Sequence, residues 1–140
     1  MSRSIILKIQ NNSSYAIKSY AIVHSWNDHT DILSGTDLAK GGTMGKEVTI
    51  TSGYVEFDWY TVQIVFDVNG SRVRQTDFYC NSSKNDTVCV MEIGDNYVNC
   101  NYSNIKGEDT GSCKHKKYSM AFEDEQKQTD PKKIAPTVAE

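Results

Sequence analysis

The chain has no run of apolar residues near the roughly 20 that a membrane-spanning helix requires; its longest apolar stretches are four residues. It contains no GxSxG, HExxH, phosphate-loop or GxGxxG pattern, so no nucleophile elbow, zinc protease or nucleotide site is marked and no catalytic residue is expected. Cysteine pairs of the CxxC type are missing too, which argues against structural zinc, and no cofactor is implied. A net charge of −3 and a pI near 5.6 leave no broad basic field, so nucleic-acid binding is not expected. The opening residues 1–8 make no signal peptide, because Lys8 and Gln10 interrupt the apolar segment. Either the protein is made without a signal, or this is a mature chain carrying an added Met.

What is present favours strands. The 140 residues suit one domain, and Val, Ile, Tyr and Thr supply much of the ordered-looking part. The clearest signal is Asn69-Gly70, which suits a two-residue type I′ hairpin turn. That loop pairs Val68 with Ser71, Asp67 with Arg72 and Phe66 with Val73. It sets Tyr60, Val62, Ile64, Phe66 and Val68 on an inward face, opposite Thr61, Gln63 and Asp67. Residues 4–10 alternate Ile5, Leu7 and Ile9 against Ile6, Lys8 and Gln10, and a polar turn at 11–14 follows. A second strand, 15–26, places Ile17, Ala21 and Val23 on one face and Tyr20, Ile22, His24 and Trp26 on the other. These two strands are expected to form a first hairpin.

Residues 27–46, with four glycines, read as the longest irregular segment, with one helical turn within 31–40. A short strand at 47–51 turns Val48 and Ile50 inward. Another, at 54–59, changes parity at Trp59-Tyr60, which predicts a bulge or break there. Segments 87–93 and 97–103 form a third hairpin around Gly94-Asp95. Tyr118, Met120 and Phe122 alternate as a last strand. Residues 123–140 lose the apolar period, carry both prolines and read as a disordered tail. The expected fold is an all-β antiparallel β-sandwich of about seven to nine strands within residues 4–122, without internal repeat.

A two-residue loop at Gly94-Asp95 sets Cys89 directly opposite Cys100, with Cβ atoms about 4.5–5.5 Å apart, near the reach of a disulfide. Cys89–Cys100 is the preferred bridge and leaves Cys80 and Cys113; in a reducing cytosol all four stay thiols. Asn-x-Ser/Thr occurs at Asn11, Asn12, Asn69, Asn81, Asn85 and Asn101. With Ser and Thr at 25 of 140 positions, chance gives about two such triplets. The excess supports a secreted glycoprotein; the alternative is a cytoplasmic protein made without a signal peptide.

Several clusters invite a chemical reading. His24 and His29 flank Trp26, with Asp28 and Asp31 nearby, but no defined metal-ligand spacing results. Asn27, Asp28, Asp31 and Asp37 offer oxygen ligands to calcium without the order of an EF-hand. Glu56 and Asp58 share one strand face, which suits paired-carboxylate chemistry less well than a solvated edge. The aromatic set is more informative: Trp26, Tyr54, Trp59, Tyr60, Tyr79, Tyr97 and Tyr102 fall near strand ends, where rings stack on sugars or sit at a membrane interface. Of these, Trp26, Tyr54, Trp59 and Tyr60 are the candidate ligand-binding residues, assisted by the basic run holding Lys114, Lys116 and Lys117.

The opening strand IILKIQN with its polar turn, the second strand running into Ser25-Trp26, and Phe78-Tyr79-Cys80 before a Ser/Asn loop resemble the aegerolysins, small acidic all-β proteins. The family's cysteine–proline–tryptophan element is not present, since Asn81-Ser82-Ser83 follows Cys80. The resemblance implies a small β-sandwich that binds membrane lipids. The expected function is therefore non-enzymatic recognition of membrane lipid or a cell surface, as in a cytolysin or toxin component. The alternatives are a secreted carbohydrate-binding module (a lectin) and a surface or immune-modulating protein whose partner is another protein.

Overall fold

A computed structural model describes residues 2–26, 29–53, 59–68, 71–79, 87–104, 106, 108 and 117–122. Among the described residues ten strands make two five-stranded sheets. The strands are β1 (Ser2–Asn11), β2 (Ile17–Trp26), β3 (His29–Leu38), β4 (Thr43–Gly53), β5 (Trp59–Asp67), β6 (Ser71–Tyr79), β7 (Val88–Ile93), β8 (Tyr97–Ser103), β9 (Lys117–Ser119) and β10 (Ala121–Phe122). One sheet runs β4-β1-β7-β8-β9 and the other β10-β6-β5-β2-β3. Among the described residues the strand pairings are antiparallel except that of β1 with β7. The expected sandwich is present, with one parallel pair in it. Among the described residues no helix is long and apolar enough to cross a membrane.

Period-two alternation supplies the core. Ile5, Leu7 and Ile9 of β1 face Tyr60, Val62, Ile64 and Phe66 of β5 within one buried cluster, and all seven are at most 1% exposed. Burial of each such side chain is worth about 1.5–3 kcal/mol, which is why the pattern fixes which side of each strand turns inward. On β2 the inward set is Ile17, Tyr20, Ile22 and His24, so Ile17 does not share a face with Ala21 and Val23. A bulge explains the change: Ile17 pairs Phe66 while Ser19 pairs Val65, and the extra residue Lys18 reverses the parity.

Four expectations about connectivity fail. β1 and β2 do not form a hairpin but lie in different sheets, β1 between β4 and β7 and β2 between β3 and β5. The segment expected to be irregular is instead the strand β3, the turn after it and the start of β4. Its glycines misled because they do two jobs. Gly41 and Gly42 turn the chain at φ 83°, whereas Gly35 and Gly45 make room for the Tyr20 ring and hydroxyl. The β5–β6 register closes at Asp67 and Ser71, so three residues lie between the strands and Asp67 does not face Arg72. The Asp67 N–H donates to the Ala16 carbonyl at 2.9 Å, which ties this strand end toward β2. The last expected strand is two: β9 pairs β8, β10 pairs β6, and buried Met120 marks the crossing between sheets.

Candidate functional site

The β7–β8 turn decides the fate of the cysteines. Ile93 pairs Val98, not Asn96, three residues (94–96) connect the two strands, and the Gly94 N–H donates to the Tyr97 carbonyl at 2.8 Å. The Asp95 carboxylate accepts from the Ser14 N–H at 2.6 Å and from its hydroxyl at 2.9 Å, pinning this turn to the β1–β2 connection. The longer turn moves Cys89 opposite Tyr102 and Cys100 opposite Met91. The expected Cys89–Cys100 bridge is not formed: both are buried free thiols with Sγ atoms 3.7 Å apart. Burial, then the neighbouring Cys89, pushes the Cys100 thiol well above its ordinary range. A thiol held protonated in this way is a poor nucleophile. Cys80 and Cys113 lie outside the described residues.

Next to these thiols a buried polar chain crosses the core. The Tyr60 and Tyr102 hydroxyls hydrogen-bond one another between the two sheets. The Tyr60 ring lies against the His24 ring, centroids 4.9 Å apart, and His24 Nδ1 is 3.3 Å from Asp31 Oδ2. The same carboxylate oxygen accepts the Thr51 N–H at 3.3 Å, so Asp31 joins β3 to β4. Tyr60 is fully buried, which removes it from the candidate ligand-binding set. His24 also points inward, and no cluster of three metal-ligating side chains occurs among the described residues. Asn27, Asp28, Glu56 and Asp58, like the ligand-binding candidate Tyr54, lie outside those residues. Asp37 stands exposed at the end of β3 with φ 56°.

Trp59 is 50% exposed at the start of β5. Trp26 pairs His29 at the end of β2, with its side chain outside the description. Lys117 is exposed on β9, in the other sheet, and its Nζ sits 4.6 Å from the Tyr97 ring centroid. The structure therefore does not bring Lys117 together with Trp59. Lys114 and Lys116 lie outside the described residues, as do Asn69, Asn81 and Asn85.

Two sequon asparagines have structural partners instead of open space. Asn11 is fully buried, and its Nδ2 donates to the carbonyls of Tyr15, Ala39 and Leu38 at 2.8, 3.0 and 3.2 Å. Its Oδ1 accepts from the Ser13 N–H at 3.0 Å and hydroxyl at 2.6 Å. No glycan fits on that nitrogen in the folded protein. Asn101 is half-buried, its amide 3.3 Å from Glu92 Oε2. Asn12 is exposed.

What the sequence pattern did not reveal is the company Trp59 keeps. On the outer face of its sheet, Cα partners run Thr30, Ser25, Trp59; then Ile32, Val23, Thr61; then Ser34, Ala21, Gln63; then Thr36, Ser19, Val65. None of these twelve is charged, although the next strand, β6, places Asp77 in register with Thr61. At the chain's 24% charged content about three would be, and soluble surfaces usually carry more. Ile32, 57% exposed, lies one row from Trp59. The signal lay in the alternate positions of β2 and β3, but it becomes visible only once those strands are known to pair. No protein-family model matches this chain, and no curated protein is significantly similar to it.

Proposed function

We propose that this protein is a non-enzymatic β-sandwich that recognises a membrane-lipid or other cell surface through the outer face of the sheet bearing Trp59. The observation that carries the reading is a half-exposed tryptophan and a more exposed isoleucine on neighbouring rows, set among the twelve uncharged outer positions of β3, β2 and β5, with Asp77 following on β6. An indole suits the boundary between water and an apolar phase, because its ring is apolar and its N–H stays wet. A patch with so few charges loses little ion hydration when covered. The aegerolysin-like opening segments point the same way.

Flotation with liposomes of mixed neutral phospholipid, sphingolipid and sterol tests the proposal. Wild type is expected to co-float, and Trp59→Ala to lose about tenfold in affinity with its melting temperature unchanged. Absence of wild-type co-flotation with every composition would count against it. A glycan is the second reading, favoured by the hydroxyl and amide groups of Ser25, Thr30, Thr61 and Gln63 around Trp59, which suit a sugar's hydroxyls while the indole stacks on its ring. A glycan-array signal lost in Trp59→Ala, without liposome binding, would select it.

A further inference from the structure

The outer face of the other sheet is divided. Toward the β7–β8 turn it is charged: Lys8 Nζ lies 3.6 Å from Glu47, and Glu92 accepts from the Asn99 amide at 2.6 Å. Toward the opposite end, Thr49, Ile6, Val88 and Ser103 form one row of Cα partners across four strands, and no member carries charge. A cavity of about 620 Å³ opens over this row, reaching Ser4 and Asn104. One lip is fixed by Asn104, whose Oδ1 accepts the N–H groups of Lys106 and Glu108 at 3.0 and 3.1 Å. Its Nδ2 donates to the Glu108 carboxylate at 2.7 Å, so that charge is already engaged.

We propose that this cavity is a binding site for a small uncharged amphiphile. Its apolar body would lie over Ile6 and Val88, and its hydroxyl or amide end would reach Ser4, Thr49 or Ser103. The volume falls within the ~300–1,000 Å³ usual for small-molecule sites, and an apolar floor with a few hydroxyls is the composition such sites share. No lysine or arginine among the described lining residues meets a carboxylate or phosphate, so a charged ligand would be desolvated without a partner. The site goes beyond the surface-recognition reading: it lies on the opposite sheet from Trp59 and needs nothing from it.

Fluorescence titration of the full chain with 1-aminoanthracene, an uncharged probe, tests the inference. Saturable one-site enhancement is expected. Displacement by 1-decanol should be at least about tenfold more effective than displacement by decanoate near pH 8. Val88→Trp, filling the cavity from β7, should weaken the probe at least about tenfold without changing the circular dichroism spectrum. Ser103→Trp fills it from β8 and serves if the first variant does not fold. Trp59→Ala should bind the probe as wild type does, which separates this site from the surface proposal. No saturable enhancement, equal displacement by alcohol and carboxylate, a folded tryptophan variant that binds normally, or loss of the probe in Trp59→Ala would each overturn it.

Discussion

Asn11 shows how much a single side chain can organise. Its amide serves the carbonyl of Tyr15 and those of Leu38 and Ala39 at the end of β3, where the chain passes from one sheet to the other. Asn11→Ala leaves the buried Leu38 carbonyl and the half-buried Tyr15 and Ala39 bonds without their donor and should cost about 1–3 kcal/mol, read as a shift in urea midpoint at constant slope. Asn11→Asp should be no better near neutral pH, since a carboxylate cannot donate to a carbonyl. A change under 0.5 kcal/mol in both variants would remove Asn11 from this position. The sequence marked residues 11–14 as a polar turn correctly, but it gave no reason to expect a turn asparagine at zero exposure. Tyr102 makes a second case. Burial first, then Tyr60, holds its hydroxyl well above its ordinary value of 10.0. The folded form keeps the proton where the unfolded chain releases it, so this stabilisation is intact below about pH 10 and is lost as pH rises beyond. Urea unfolding between about pH 8 and 11 should show stability falling at the alkaline end. Tyr102→Phe should flatten that fall while lowering stability near neutrality by about 1–3 kcal/mol, because Tyr60 loses its hydroxyl partner. An alkaline limb as steep in the variant as in wild type would disprove the assignment.

At the scale of strands, inward faces were legible and registers were not. Alternation identified Ile5, Leu7, Ile9, Tyr60, Val62, Ile64 and Phe66 as core, because hydrophobic burial depends only on which side a residue points. Register depends on turn length, and turn length here is set by tertiary bonds. The Asp95–Ser14 contact holds a three-residue connection where Gly94-Asp95 suggested two residues, and the Asp67–Ala16 bond accompanies three where Asn69-Gly70 suggested two. In the first hairpin the shift by two residues keeps Cys89 and Cys100 on the inner face but takes them out of direct opposition. Both thiols should therefore resist a water-soluble disulfide reagent in the native protein and react once urea unfolds it. Cys100 should remain slow at about pH 8, given its raised pKa. Mass mapping of native-labelled protein checks this. Rapid native labelling of both, or an intact Cys89–Cys100 bridge in freshly isolated protein, would show that the hairpin has the shorter register.

For the molecule as a whole, the distribution of charge matters more than its total. The net charge of −3 suggests a mildly repulsive particle toward anionic membranes, yet the twelve outer positions of β3, β2 and β5 around Trp59 carry no charge, β6 adds Asp77 in register with Thr61, and Lys117 belongs to the other sheet. Sequence reasoning grouped Trp59 with the basic run, whereas the structure puts Lys117 in the other sheet, since only the pairing of strands reveals which residues share a face. The two arrangements predict opposite salt behaviour. A site that relied on lysines would gain affinity from anionic lipid and lose it as salt shortens the Debye length from about 10 Å at 0.1 M to about 3 Å at 1 M. A site built on Trp59, Ile32 and hydroxyl groups has no such term, and apolar burial is not weakened by screening. Co-flotation with neutral liposomes should thus change less than about twofold across that salt range. Adding anionic phospholipid should not strengthen it, because the net charge of the chain is of the same sign. Lys117→Ala should leave flotation unchanged while Trp59→Ala weakens it. Strong enhancement by anionic lipid, abolished by salt and by Lys117→Ala, would transfer the recognition surface to the β9 edge and leave the Trp59 face without a part in it.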